Sequence, residues 1–356
     1  MSKISIAFVT HQSAFNVLGG AETQILKTKQ HLDHDKNLKI SFFDMWNDKF
    51  EDYDIVHIFN PNRFPVESLE ITEKCKKKGV KVVVSPIFWI SPYETATTYK
   101  KILFNKVYIN SLGIPLLKNV ITNMGTYKYK KSLYEISDMI LPNTNAELYL
   151  LKKFYNISHN RFTHIPNGVD LRFMHGNPKL FNDKFNLDNF ILYVGGLYQR
   201  KNVLRLIKAF SKSELDTNLV LIGNADQSYY SQCQKVSDER VIFLPALPHN
   251  SEMLISAYKS AKVVVLPSYF ETPGLSCLEG GLAGSNIVIT EIGGTKEYFE
   301  DYAWYINPNN EKDIQNTLVS AYNSPKTNKL SKHIEKNFKW ETVAETTSKL
   351  YKSLNK

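Results

Sequence analysis

A chain of 356 residues, 43% apolar and 22% charged, has the composition of an ordinary soluble enzyme and is long enough for two domains of about 150–180 residues. No apolar run reaches the roughly 18–20 residues of a membrane span, three scattered cysteines (Cys75, Cys233, Cys277) form neither a disulfide framework nor a zinc cluster, and MSKISIAFVTHQ enters a strand without a signal-peptide core, so a cytoplasmic setting is expected. The formal charge of +9 favours an anionic partner: nucleic acid, an anionic membrane or a phosphorylated substrate.

In chain order, Ile4–Thr10 reads as a β-branched strand, followed by the glycine pair Gly19–Gly20 and a helix over Ala21–Leu32. Ile40–Phe43, Ile55–Phe59 and Val80–Ser85 read as further strands, with a helix over Glu67–Lys78 between the last two. Ile136–Leu141, a helix over Asn143–Phe154 and the run Phe162–Ile165, ending in Pro166-Asn167-Gly168, complete this series. Unbroken β-branched strands alternating with helices predict a parallel sheet covered on both faces. The stretch from Asp170 to Asp188 is polar and irregular. A second series then opens, with strands at Phe190–Val194, Leu219–Ile222, Val241–Leu244, Val263–Leu266 and Ile287–Thr290. Helices fit at Val203–Lys212, Ser251–Ser260 and Ser276–Ala283, and Trp340 leads into an amphipathic helix to Leu354. The expected fold is α/β, with two Rossmann-like domains facing across a cleft. They cover 1–170 and 189–335, joined by a linker over 171–188, and the helix of 336–356 returns to the first domain.

The richest stretch is Val264–Phe299, where Glu271 and Glu279 stand eight positions apart (E-x7-E). Glu271 falls on the loop at a strand's carboxyl edge, where open α/β sheets bind ligands. Glu279 falls about one turn into the next helix, after Gly274 and Leu275 have exposed their amides, and Gly293–Gly294 follow one strand later. Carboxylates accept from hydroxyls, whereas glycine amides suit phosphate. A site holding both asks for a diphosphate flanked by polyols, which describes a nucleotide-sugar. The alternative is a helix-capping Glu271 with an exposed Glu279. The run GGLAG counts against it, since each helical glycine costs about 1 kcal/mol relative to alanine and usually admits something close.

Two glycine turns accompany this stretch. Gly195–Gly196 follows a clear strand, and Arg200 and Lys201 stand near the start of the next helix, where cations oppose the macrodipole. A bound diphosphate would balance them; a solvated surface pair is the other reading. Gly19–Gly20, ahead of Glu22, fits equally an anion-facing helix start and a plain β–α turn. Its pattern is not G-x-G-x-x-G, which argues against a dinucleotide cofactor.

GGAE (19–22), IPNGVD (165–170), YVGGLYQRKNVLRLIKAF (193–210) and ETPGLSCLEGGLAGSNIVITEIGGTKEYF (271–299) resemble, in this order, the signature blocks of family 4 glycosyltransferases of the GT-B fold. The resemblance implies retaining transfer of a sugar from a nucleotide-sugar to an acceptor, without a metal and with no cofactor beyond the donor as co-substrate. It implies an acceptor-binding first domain and a donor-binding second one. Lys201, with Arg200, would hold the diphosphate, approached by Gly195, Gly196, Gly294, Thr295 and, from the first domain, Gly19 and Gly20. Glu279 would hold the ribose hydroxyls. Glu271 would hold hydroxyls of the transferred sugar, helped by the backbone of Pro273, Gly274 and Leu275. Glu271, Lys201 and Arg200 would then be the catalytic set, orienting the sugar and stabilising charge on the leaving phosphate.

The chain departs from the family pattern at three places. Gly196 stands where an arginine is common, with Arg200 as the substitute; Thr272-Pro273-Gly274 replaces Gly-Phe-Gly; and SPIFW (85–89) lacks a histidine many members carry. His11 and His57 read as readily structural as catalytic. Asp52-Tyr53-Asp54 mimics a D-x-D metal motif but runs straight into a strand and reads as solvated acids. A sugar-nucleotide epimerase and a non-catalytic, membrane-attached binding protein are alternatives on the same architecture. Recognition of the base is expected from the backbone around Phe243–Leu247.

Between Glu94 and Glu135 there are seven lysines and no acid, interleaved with aromatic and aliphatic residues. The stretch 99–131 suits an anionic membrane surface or an acceptor on a lipid diphosphate, and equally an apolar face packed into the first domain with lysines outside. No nucleic-acid motif is visible. The expected partners are a nucleotide-sugar donor and a glycan or lipid-linked acceptor, in surface polysaccharide or lipopolysaccharide synthesis at the inner face of the cell membrane.

Overall fold

In the first half of the chain β1 (Ile4–Val9), β2 (Leu38–Phe42), β3 (Ile55–Phe59), β4 (Lys81–Ser85) and β5 (Met139–Ile140) pair in the order β2-β1-β3-β4-β5, all parallel. The structure is a computed structural model and describes residues 3–16, 19–88 and 126–355. Contacts divide the chain into two units, Met1–Asn167 with Trp340–Lys356, and Gly168–Lys339. Along β1, Ile6 and Phe8 pack on one face with Ile25, Trp340 and Tyr351. Ala7 and Val9 pack on the other with Ile71, Leu133 and Tyr155. Burial on both faces is why most of these strands are rich in β-branched and other apolar residues. The strand order is the flavodoxin type rather than the Rossmann one, with its reversal between β1 and β3. The run expected as a strand at 162–165 shrinks to one bridge between Phe162 and Ile140. Pro142 and Pro166 bracket that pairing, and neither has the N–H a longer ladder needs.

The helix Trp340–Leu354 belongs to the first unit, where it packs on the helix Gly20–Leu32. The Tyr351 hydroxyl lies 2.6 Å from His57 Nδ1, and the Ser85 hydroxyl lies 2.9 Å from His57 Nε2. Burial pushes the imidazole down to about 3, so it is neutral at ordinary pH. Because the unfolded chain binds that proton more readily, His57 contributes stability above its ordinary value near 6.5, lost as pH falls towards about 3. Tyr351→Phe leaves a buried ring nitrogen without its partner. We expect a loss of about 1–3 kcal/mol in urea unfolding at pH 7.

The second unit holds β6 (Ile191–Val194), β7 (Leu219–Ile222), β8 (Val241–Leu244), β9 (Val263–Leu266), β10 (Asn286–Thr290) and β11 (Trp304–Ile306). They pair in the order β11-β10-β9-β6-β7-β8, every neighbour parallel. This is the Rossmann order, reversing between β6 and β9. The segment 171–188, expected as a linker, lies within this unit. Phe173, on the short turn Leu171–His175, and Phe181, on the helix Lys179–Phe185, are fully buried in its core. Polar neighbours in the sequence disguise these two aromatic anchors. At the far end, residues 336–339 also belong here, and the first unit resumes only at Trp340.

The basic stretch 99–131 lies outside the described residues as far as 125. From 126 to 136 the chain is helical, with Leu133 and Tyr134 buried. Among the described residues no helix is long and apolar enough to cross a membrane.

Candidate functional site

In an open α/β sheet, ligands lie beyond the carboxyl ends of the strands that flank the order reversal. In the second sheet these are β6 and β9, and their exits carry Gly195–Lys201 and Pro267–Glu271. The chain leaving β6 turns tightly. The Gly195 N–H donates to the Ile222 carbonyl (3.0 Å), and the Tyr193 hydroxyl donates to the Gly196 carbonyl (2.8 Å). A short 3-10 turn, Gln199–Lys201, follows. Asn202 then takes a left-handed conformation (φ 58°), and its side-chain amide donates to the carbonyls of Pro267 (3.1 Å) and Pro308 (2.8 Å). The Tyr269 N–H donates to the Arg200 carbonyl (3.1 Å), which further ties the exit loops of β6 and β9 together.

These ties bring Lys201 Nζ to 2.6 Å from Glu271 Oε1, with Arg200 Nη1 3.6 Å from the same oxygen. Burial drives the Glu271 carboxyl upwards, but the charges of Lys201 and Arg200 and the Lys201 hydrogen bond outweigh it and hold the group below its ordinary value. Burial likewise opposes the Arg200 charge, and Glu271 with Tyr198 reverses that effect. The sequence pattern had named all three residues, and the structure brings them together.

The Glu271 backbone is pinned as firmly as its side chain. Its N–H donates to the Ile292 carbonyl (3.2 Å), and its carbonyl accepts from the Gly294 N–H (2.9 Å). Gly293, at φ +113°, lies so close that any Cβ there would collide with the Glu271 carbonyl. The second glycine pair therefore lets two loops touch. Thr295 is fully buried, and its hydroxyl donates to the Thr290 carbonyl (2.8 Å).

Gly274, left-handed at φ +77°, follows the buried Pro273 and starts the helix Leu275–Leu282 with no side-chain cap. Leu275 packs partly buried against the core. Glu279 lies in this helix, 7% exposed, with both carboxylate oxygens engaged. The Tyr258 hydroxyl donates to Oε2 (2.6 Å), and His249 Nε2 lies 2.6 Å from Oε1. Burial and the nearby carboxylate raise the Tyr258 phenol well above its ordinary value, which keeps it a donor. Sequence reasoning missed both partners: Tyr258 reads as one more apolar-face residue of its helix, and His249 as a loop residue.

The glycines that follow have a packing role. A Cβ on Gly280 would meet Val264 Cγ2 at 2.6 Å, and one on Gly281 would meet Ile334 Cδ1 at 2.8 Å. The close neighbour expected from the GGLAG run is thus β9 on one side and the helix Lys329–Asn337 on the other. At Gly196 the Tyr198 ring occupies the space a side chain would enter, and the Arg200 guanidinium lies 5.6 Å from that ring's centre. Arg200 also lies within hydrogen-bonding reach of the Tyr198 hydroxyl (3.3 Å).

Gly19 and Gly20 lie in the first unit. The Gly19 N–H donates to Glu22 Oε2 (2.9 Å), and His11 Nε2 lies 3.3 Å from Glu22 Oε1. The chain's own carboxylate therefore meets the amide that had been offered to an anion. Asp54 accepts from the Ser5 N–H (2.8 Å) just ahead of β3. Where SPIFW lacks the family histidine, the Phe88 N–H donates to the fully buried Glu147 (2.6 Å).

Among the described residues no cluster of three or more His, Cys, Asp or Glu is arranged to hold a metal. Two grooves, of about 610 Å³ beside Lys212 and Gln315 and about 410 Å³ beside Arg205 and Tyr229, are lined by neither Glu271 nor Glu279. Topology and electrostatics, not cavity size, mark the site.

Residues 179–340 match the family model of glycosyl transferases group 1. An uncharacterized glycosyltransferase of Methanocaldococcus jannaschii is 29% identical over 177 residues, 46% of this chain and 45% of that protein. The O-antigen chain mannosyltransferase RfbU of Salmonella typhimurium is 25% identical over 179 residues, 49% and 48% of the two chains. The chain thus spans a little under half the length of the curated relatives it matches. Sucrose-phosphate synthase from Thermosynechococcus elongatus superimposes with a TM-score of 0.77 at 16% identity, covering 99% of both chains. Anabaena HepE, solved in complex with UDP and glucose, gives 0.73 at 15%, covering 98% of this chain and 100% of its own. The fold is GT-B, two parallel-sheet α/β units on one chain.

Proposed function

We propose that a chain with this fold, matching group 1 glycosyl transferases over its second unit, is itself a glycosyltransferase that moves a sugar from a nucleotide-sugar to a glycan or lipid-linked acceptor with retention. One observation carries the reading: an ionised, buried Glu271 held by Lys201 and Arg200 at the β6–β9 reversal, with a second carboxylate, Glu279, in the helix that follows. Cations beside acids at one sheet edge suit a ligand with phosphates next to polyols. Lys201 and Arg200 face the diphosphate, Glu271 the hydroxyls of the transferred sugar, and Glu279 the ribose. The bond from C1 to the diphosphate oxygen breaks, and that oxygen keeps the electron pair. The acceptor oxygen bonds to C1 and passes its proton to the departing diphosphate oxygen. The two basic side chains supply the positive charge this leaving group needs, which is the reason to expect no metal requirement.

The Salmonella relative's O-antigen role supports surface polysaccharide or lipopolysaccharide as the product class. The same product class suggests work at the inner membrane face, and UDP in the Anabaena structure makes uridine donors the first to try. Incubating the full chain with UDP-glucose, GDP-mannose and dTDP-rhamnose, with EDTA and with and without lipid-linked acceptors, tests the reading. We expect release of the nucleoside diphosphate from one donor, undiminished by EDTA. No release from any donor, or epimerised donor without transfer, would reject it.

A further inference from the structure

Glu279 is braced in a way that the family pattern does not mention. Each of its carboxylate oxygens receives one protein donor, Oε2 from the Tyr258 hydroxyl and Oε1 from His249 Nε2, both at 2.6 Å. Since a carboxylate only accepts, the imidazole carries its proton on Nε2. Both donors in turn rest on one residue. The Phe173 ring meets the His249 ring edge-on at 5.7 Å between centroids and the Tyr258 ring at 5.3 Å and 89°. Phe173 is fully buried. His249 lies in the loop between β8 and the helix Glu252–Ser260, whose start is fixed by the Ser251 hydroxyl accepting from the Leu254 N–H (3.2 Å). Its side chain is 34% exposed, whereas Tyr258 is fully buried.

A carboxylate has about four acceptor positions. With one position on each oxygen taken by the protein, one or more on each remains, which matches the two hydroxyls of a vicinal diol. A carboxylate free to rotate would pay orientational entropy to meet that diol, and a braced one would not. We infer that His249 is a positioning residue for the nucleoside ribose: braced by Phe173 and opposed by Tyr258, it fixes the Glu279 carboxylate so that each oxygen takes one hydroxyl of the diol. The inference rests on the reading of Glu279 as the ribose ligand.

The test compares the full chain with His249→Ala, His249→Gln, Tyr258→Phe and Glu279→Ala. Each is titrated calorimetrically with UDP and 2′-deoxy-UDP, and with GDP and 2′-deoxy-GDP, and donor KM and kcat are recorded. Thermal melting checks that each variant folds, and the glutamine variant, which keeps a donor, covers a misfolded alanine one. The wild type is expected to favour the ribonucleotide about tenfold or more, as sites built to hold a hydroxyl do. His249→Ala should cut that preference several-fold and raise donor KM about tenfold with little change in kcat, and His249→Gln should restore much of the preference. Tyr258→Phe should lower it in the same direction. If the His249 variants keep the full preference while Glu279→Ala loses it, the inference fails and the ribose reading of Glu279 survives. If Glu279→Ala keeps the preference too, or no nucleotide binds, the reading itself fails and takes the inference with it.

Discussion

Glu271→Ala is expected to lower the rate of sugar transfer about 100- to 1000-fold, the scale seen when one preorganised polar contact to a reacting group is removed. The same change frees Lys201 and Arg200 from their common partner. Two cations that no longer share a carboxylate attract phosphate more strongly, so affinity for the bare nucleoside diphosphate should hold or rise. The opposed signs make the result specific. A generally damaged site would lose both, whereas loss of the sugar's anchor alone removes turnover and spares the nucleotide. Initial rates with saturating donor, set beside a calorimetric titration with UDP, read the two effects separately. Unchanged transfer in Glu271→Ala would contradict the role given to the carboxylate.

Lys201→Met should be damaging for a different reason. The methionine fills similar space but leaves Glu271 buried with Arg200 at 3.6 Å as its remaining cation. Breaking a buried pair by removing one partner commonly costs about 3–5 kcal/mol, and Arg200 should keep the loss towards the lower end. The pH dependence follows from the direction of the Glu271 shift. Its folded carboxyl is held below the ordinary value, so it contributes stability at pH values above that ordinary value, and this is lost as pH falls through the folded one. In Lys201→Met burial gains weight and the carboxyl moves up. The gap between wild type and variant should therefore be widest near neutral pH and narrow in acid. Urea unfolding at pH 7 and pH 4 measures it, and a gap that widened in acid would contradict the account. Because the two side chains act as a unit, Lys201→Met with Glu271→Gln should cost less than the sum of the single changes.

Much of this was legible in the sequence, and the parts that were not share physical causes. Most strands of both sheets announce themselves because burial on two faces leaves few polar residues to interrupt them, whereas β11, three residues long, carries too short a pattern to read and was missed. Glu271, Lys201 and Arg200 were found because their spacing and neighbouring glycines are local. Strand order was not legible: the flavodoxin-type order of the first sheet depends on which strands pair, a non-local property. The segment around Phe173 and Phe181 read as a linker because two aromatics among polar residues carry no periodicity, although both are core. The glycines after Glu279 were noticed but their close neighbour was left unnamed, since close approach to a strand and close approach to a ligand leave the same mark in a sequence. His249 and Tyr258 lie 30 and 21 positions from Glu279, and only folding brings them to it.

The most direct measurement is a crystal of the full chain soaked with UDP. The account predicts the diphosphate within hydrogen-bonding distance of Lys201 Nζ, with the Lys201–Glu271 pair opened or shared, and the ribose diol on the Glu279 carboxylate. UDP bound elsewhere, with Lys201 still closed on Glu271 and no hydroxyl at Glu279, would contradict it.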